Sequence, residues 1–302
     1  MKLFGVVTTL GFAGVLALGA AVLFARRPAL LSALVAEGGA VVETGIAYGP
    51  GTRRRLDIYR PADASPGGPI VLFLYGGSWR SGERDLYPFL GAALAKRGIT
   101  VVVPDYRLFP QASFPGFVED AALAYAWTWR NLARATGRPI ALIGHSAGAH
   151  IAALLAFDAR YIAAQGAGIP RPAAFVGLAG PYAFDPTTFP STKDIFATAP
   201  NADAARPVAF ARGDAPPSLL MHGLDDDTVE LYNLRDMVEA LRAKGADVES
   251  VEFPRIGHFG IVLAIARPFR WRAPVLDKTV AFILRHAGAS ARTARRADAA
   301  IR

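Results

Sequence analysis

Gly144-His145-Ser146-Ala147-Gly148 is the stretch of this chain whose residue types point most directly to chemistry. It has the form G-x-S-x-G, in which the glycines permit a tight turn that lifts a serine hydroxyl clear of the backbone. The setting gives the pattern weight. The apolar run Ile140–Ile143 before it reads as a buried strand, and Ala149–Gln165 after it as a helix. A helix N-terminus behind the serine favours the negative charge that develops when a hydroxyl attacks a carbonyl. A glycine turn of this kind is common, so the serine becomes a nucleophile only in company with a base, an acid and hydrogen-bond donors.

In this motif's usual setting the chain order is serine, then acid, then histidine. The histidines are His145, His150, His222, His258 and His286. Only His258 and His286 leave room for an acid after Ser146. His286 falls in the last helix, whereas His258 sits in the glycine-flanked loop Arg255-Ile256-Gly257-His258-Phe259-Gly260, directly after a strand. His258 is therefore expected to be the base. The acid is expected in His222-Gly223-Leu224-Asp225-Asp226-Asp227-Thr228-Val229. Three adjacent aspartates cannot all be buried and charged cheaply. One should face the histidine while the others stay in water or cap the next helix, and spacing leaves open which. An oxyanion needs backbone N–H donors. These are expected from Ala147, after the nucleophile, and from Gly77 and Ser78 in the turn Tyr75-Gly76-Gly77-Ser78-Trp79, with Gly76 shaping it.

Residues this far apart in sequence need a frame to bring them together. Val41–Tyr48 and Arg54–Tyr59 read as an opening antiparallel pair. Ile70–Tyr75, Thr100–Pro104, Ile140–Ile143, Ala174–Leu178, Ser218–Met221 and Val248–Phe253 read as strands. Asp85–Arg97, Phe117–Ala135, Ala149–Gln165, Leu231–Lys244 and Pro274–Arg285 read as helices. Such alternation predicts an α/β domain over residues 28–288, with a mostly parallel central sheet covered by helices on both faces. Residues 184–217, rich in Pro, Ala and Asp, read as a short cap-like insertion between two strands. With Trp79 this insertion is expected to wall the substrate pocket.

Composition narrows the functional classes. The 302 residues are 52% apolar and 19% charged, which excludes a disordered chain. There is no cysteine, so disulfides, thiolate metal sites, iron–sulfur clusters and a cysteine nucleophile are excluded. The serine, histidine and aspartate chemistry itself calls for no metal or cofactor. The net charge of +8 is concentrated at the two ends: +3 from Lys2, Arg26 and Arg27, and +3 from the last stretch. The body carries only +2, which argues against nucleic acid as a partner. Leu3–Ala25 holds no charged residue and as a helix would span about 34 Å, enough for a bilayer core. Residues 1–27 are thus expected to be a membrane anchor, in the bacterial inner membrane. A signal segment removed on export is the alternative. Lys2 against Arg26–Arg27 does not choose a side, because the free amino terminus offsets the difference. Residues 289–302, Ala/Arg-rich and without apolar periodicity, read as a disordered tail.

Taken together, these motifs resemble the α/β-hydrolases. The resemblance is closest to the group containing hormone-sensitive-lipase-type and feruloyl-type carboxylesterases, kynurenine formamidases and prenylcysteine methylesterases. It runs from about Ile46 to Ala287. It includes Asp105-Tyr106-Arg107-Leu108-Phe109-Pro110, Phe114-Pro115, Glu119-Asp120, and Ala215-Pro216-Pro217 leading into His222-Gly223. The group's acid follows H-G-x-x-D-x-x-V, which on this sequence selects Asp226 with Val229 in register. The group's oxyanion turn usually begins with histidine, where this chain has Tyr75, at a position that supports the loop rather than donating to the oxyanion. The resemblance implies an α/β-hydrolase fold and hydrolysis of a small-molecule carboxylic ester, lipophilic if the chain is anchored. Formamidase-type amide hydrolysis on the same triad, or ligand binding without catalysis, are the alternatives it carries.

Overall fold

Residues 38–63 and 67–301 are described by a computed structural model. The expected anchor at 1–27 lies outside them. Among the described residues no helix is long and apolar enough to cross a membrane. Eight strands form one sheet: β1 (Ala40–Ala47), β2 (Arg55–Pro61), β3 (Ile70–Leu74), β4 (Thr100–Pro104), β5 (Ile140–His145), β6 (Ala174–Leu178), β7 (Ser218–Gly223) and β8 (Val248–Phe253). Their order across the sheet is β1-β2-β4-β3-β5-β6-β7-β8. β2 runs antiparallel to β1 and β4, and the remaining pairs are parallel. β3 to β7 are buried along their whole length, as continuous apolar runs covered on both faces must be.

The helices are α1 (Pro88–Ala95), α2 (Gly116–Thr128), α3 (Ala147–Phe157), α4 (Ala159–Ala163), α5 (Tyr232–Ala243), α6 (His258–Leu263) and α7 (Val275–Ile301). Every residue of α3 is buried, so this helix is apolar all round. On α5 the buried set Leu234, Met237, Val238 and Leu241 follows the i, i+3, i+4, i+7 spacing of a one-faced helix. Parallel strands side by side bring all their C-terminal ends to one edge of the sheet. Tyr75, Ser146 and Leu224 thus emerge from β3, β5 and β7 at the same edge, and Pro254 from β8.

Several elements differ from expectation. The helix expected at Ala149–Gln165 is broken at Asp158, whose carboxylate accepts from the Arg160 N–H (3.1 Å) and caps α4. The long helix expected over Phe117–Ala135 is α-helical only to Thr128. It then loosens into a π turn at Trp129–Ala133 and tightens into a 3-10 turn before Gly137 at φ 62°. In the stretch expected to be a disordered tail, the backbone of α7 is helical through to Ile301. Alanine and arginine are strong helix formers, so propensity carries the helix on where apolar periodicity has stopped. Residues 184–217 hold only the 3-10 turns Asp203–Ala205 and Pro207–Phe210 between bends. They pack down through buried Ile195, Phe196 and Ala205.

Candidate active site

The turn from β5 into α3 sets Ser146 in a strained backbone, φ 54° and ψ −125°, with its hydroxyl at the sheet edge. The Ser146 N–H donates to the Leu178 carbonyl at the end of β6 (2.9 Å), and its carbonyl accepts from Ala149 and His150. The elbow packs so closely on β3 that a Cβ on Gly148 would stand 2.1 Å from the Leu74 carbonyl oxygen. Only glycine fits there. Ala147 opens α3, so its N–H is a first-turn donor with no acceptor inside the helix.

The turn after β3 lies beside this elbow: a Cβ on Gly76 would come within 2.8 Å of the Ser146 Cβ. Gly77, Ser78 and Trp79 all have positive φ (129°, 52° and 58°). Gly77 has no alternative, since a Cβ would meet the Ser81 carbonyl at 2.1 Å. The turn is closed by the N–H groups of Arg80 and Ser81 donating to the Gly77 carbonyl. Tyr75 anchors its start. The ring stacks between Tyr87 and Tyr106, at 5.7 and 4.7 Å. The hydroxyl donates to Asp105 (2.7 Å) and accepts from Arg53 (2.8 Å). Tyr106 in turn donates to the Tyr75 carbonyl (2.6 Å). Arg84 binds both Asp105 and Asp57.

Three of the expected residues meet in one hydrogen-bonded line. His258 Nε2 is 2.8 Å from the Ser146 hydroxyl, and His258 Nδ1 is 2.8 Å from Asp226 Oδ2. Among the three aspartates it is Asp226 whose carboxylate turns inward. Its other oxygen accepts from the N–H groups of Thr228 and Val229, both at 2.9 Å. Asp225 and Asp227 stay exposed. Burial works to raise the Asp226 pKa, but the His258 N–H and the two backbone donors outweigh it. The carboxyl therefore sits below its ordinary value and is ionised at neutral pH. Ser146 and His258 are 8% and 5% exposed, a shelter that strengthens these bonds. Trp79, expected to touch substrate, is buried at 3%. It packs among Phe117, His150, Phe184 and Phe196, and its indole N–H has no partner among the described residues.

Three buried histidines were given no role in the sequence reading. His145 Nε2 donates to the His258 carbonyl (3.0 Å). His150, one turn along α3 from the serine, donates to the Ala205 carbonyl (2.7 Å) and ties residues 184–217 to the helix that follows Ser146. His222 donates to the Val229 carbonyl (2.8 Å) with Asp226 Oδ2 at 3.4 Å, bracing the loop that carries Asp226. Burial keeps all three neutral, with His145 lowered to about 3 and His150 to about 4. Their signal in the sequence was position: His145 and His150 flank Ser146 by one and four residues, and His222 precedes Asp226 by four. Phe259 was also missed. It is 67% exposed, with its ring 5.3 Å from that of His258. Among the described residues no cluster of His, Asp and Glu has metal-binding geometry.

An open α/β sheet with a Ser–His–Asp line at the C-terminal edge of its strands defines the α/β-hydrolase class. The chain's similarities agree. Its residues 118–290 match the family model described as the prolyl oligopeptidase family, and the chain belongs to that family. A second model, BD-FAE, matches residues 56–166. The chain is 30% identical over 245 residues to an isoprenylcysteine alpha-carbonyl methylesterase of Arabidopsis thaliana, covering 74% of this chain and 57% of the relative. It is 32% identical over 237 residues to the esterase LipQ of Mycobacterium tuberculosis, covering 70% and 56%. The chain thus spans little more than half the length of these two relatives. Esterase B of Lactobacillus rhamnosis superposes with a TM-score of 0.72 at 20% identity, over 95% of this chain and 98% of the other. A Thermogutta terrifontis esterase does so at 0.66 and 22%, over 82% and 94%. At these identities the two structures attest the fold.

Proposed function

We propose that this chain hydrolyses carboxylic esters through an acyl-enzyme. The observation that carries the reading is the unbroken line from Asp226 through His258 to the Ser146 hydroxyl, each bond 2.8 Å. The Ser146 oxygen attacks the ester carbonyl as its proton passes to His258 Nε2. The N–H groups of Gly77, Ser78 and Ala147 hold the oxygen as it becomes negative. Asp226, ionised and fixed by three donors, stabilises the imidazolium. The tetrahedral adduct collapses with loss of the alcohol, which takes the His258 proton. Water then attacks the acyl-serine by the same route, releasing the acid and restoring the serine hydroxyl.

The substrate is a small lipophilic ester. The methylesterase name of one relative supports this, and so do exposed rings linked to the site. Phe259 stands beside His258, and exposed Phe189 packs on Phe184, which stacks on Trp79. Trp79 and residues 184–217 wall the acyl or alcohol side. The chain acts at a membrane, held there by residues 1–27, a reading supported by the uncharged run Leu3–Ala25.

The test is a panel of p-nitrophenyl esters from acetyl to dodecanoyl, set against an N-formyl amide and a dipeptide p-nitroanilide. Ester turnover that disappears in Ser146→Ala, with the amide and anilide at least a hundredfold slower, is expected. Turnover confined to the amide or anilide, or an absence of turnover with any of them, overturns it.

A further inference from the structure

His145 occupies the x position before the nucleophile, the last residue of β5, and its side chain is completely enclosed. Its ring lies between the two halves of the site. On one side Nε2 donates to the main-chain carbonyl of His258 at 3.0 Å, and the two imidazole rings are 5.0 Å apart. On the other side Nδ1 has no hydrogen-bond partner among the described residues, and a Cβ on Gly76 would come within 3.1 Å of it. A buried lone pair left without a donor is unfavourable, and an apolar ring would avoid it. What the histidine adds over such a ring is the one bond from Nε2.

That bond falls where the backbone needs it. His258 opens α6, a helix of six residues whose N-cap, Gly257, offers no side-chain bond. The preceding turn carries Arg255 at φ 57°. The base therefore projects from a short, strained connection. Burial holds His145 neutral, with Nε2 as a donor. A charge on His145 would also oppose the imidazolium beside it.

We infer that His145 is a positioning residue of the triad, which anchors the His258 main chain through Nε2 and so sets the reach from His258 to the Ser146 hydroxyl. The inference rests on the hydrolase reading above. A misplacement of the base by about an ångström lowers the rate by about a hundredfold without altering substrate binding to the same degree.

The experiment compares wild type, His145→Phe and His145→Gln in full-length protein. The readouts are thermal midpoint, kcat and KM on a short p-nitrophenyl ester, and the rate of Ser146 labelling by a fluorophosphonate. Phenylalanine keeps the ring and removes the donor; glutamine returns an N–H near the Nε2 position. His145→Phe is expected to lower kcat and the labelling rate in parallel by about 30- to 100-fold, with KM within about threefold. His145→Gln should recover to within about tenfold of wild type. His145→Phe within twofold of wild type, or His145→Gln as slow as His145→Phe in folded protein, overturns the role given to His145. So does a loss in His145→Phe that appears in KM alone. Wild-type protein that fails to label at Ser146 overturns the hydrolase reading and this inference with it.

Discussion

Acidification should unfold this protein earlier than its carboxylates alone would require. His145 and His150 are enclosed and neutral, with pKa values lowered to about 3 and about 4 by burial. In the unfolded chain each returns to about 6.5. A folded-state pKa below the unfolded one means that the unfolded chain takes up the proton first. The contribution is whole above about pH 6.5 and is lost as pH falls through that value. By pH 5 each histidine has withdrawn about 2 kcal/mol, so the pair removes about 4 kcal/mol relative to pH 8. That is a large share of the 5–15 kcal/mol that about any single domain holds. His222, also lowered, acts in the same direction. Asp57 opposes them in the carboxylate range, because burial raises its carboxyl. The clean window is therefore pH 5 to 7. Urea unfolding at half-unit steps should give a stability that rises with pH, approaching about 2.7 kcal/mol per unit at the acid end of the window. His150→Leu should make that slope shallower by about one proton's worth, about 1.4 kcal/mol per unit. Stability constant within 1 kcal/mol, as an order-of-magnitude threshold, between pH 5 and 8 would refute the burial argument.

Three further outcomes follow from the site. Asp226→Asn should lower kcat by about 10³- to 10⁴-fold with little change in KM, because the amide cannot stabilise the His258 imidazolium. Steady-state kinetics at pH 7 to 9 reads it directly. Gly77→Ala should lower kcat by about a hundredfold or more, since the new Cβ would stand 2.1 Å from the Ser81 carbonyl and the donor turn must move. The same variant with unchanged kcat would show that the turn does not hold the oxyanion. Trp79→Ala should destabilise the domain by about 3–5 kcal/mol, measured by denaturant unfolding, because it empties an aromatic cluster that joins the turn after β3 to residues 184–217.

The frame was legible because buried parallel strands are short apolar runs, and runs such as Ile70–Leu74 and Thr100–Pro104 have few other readings. Ser146 and His258 were legible for a related reason. Each follows a strand of that frame, and topology alone brings the C-terminal ends of β5 and β8 to one edge. Asp226 was not separable from Asp225 and Asp227 by spacing. What distinguishes it is a turn in which one carboxylate oxygen collects two N–H groups, and neighbouring aspartates look alike until that turn exists. The buried histidines stayed without a role because a side chain's partner across the fold is not local. Nothing near His150 in sequence points to Ala205. The helical backbone at the end of α7 was not legible, because apolar periodicity reports packing, whereas Ala and Arg form helix without it.

Labelling with a fluorophosphonate, followed by peptide mass mapping, addresses the central claim most directly. The account predicts one adduct per chain, on the peptide carrying Ser146, lost in Ser146→Ala and slowed by several powers of ten in His258→Ala. An adduct on a different residue, or equal labelling in His258→Ala, would contradict it.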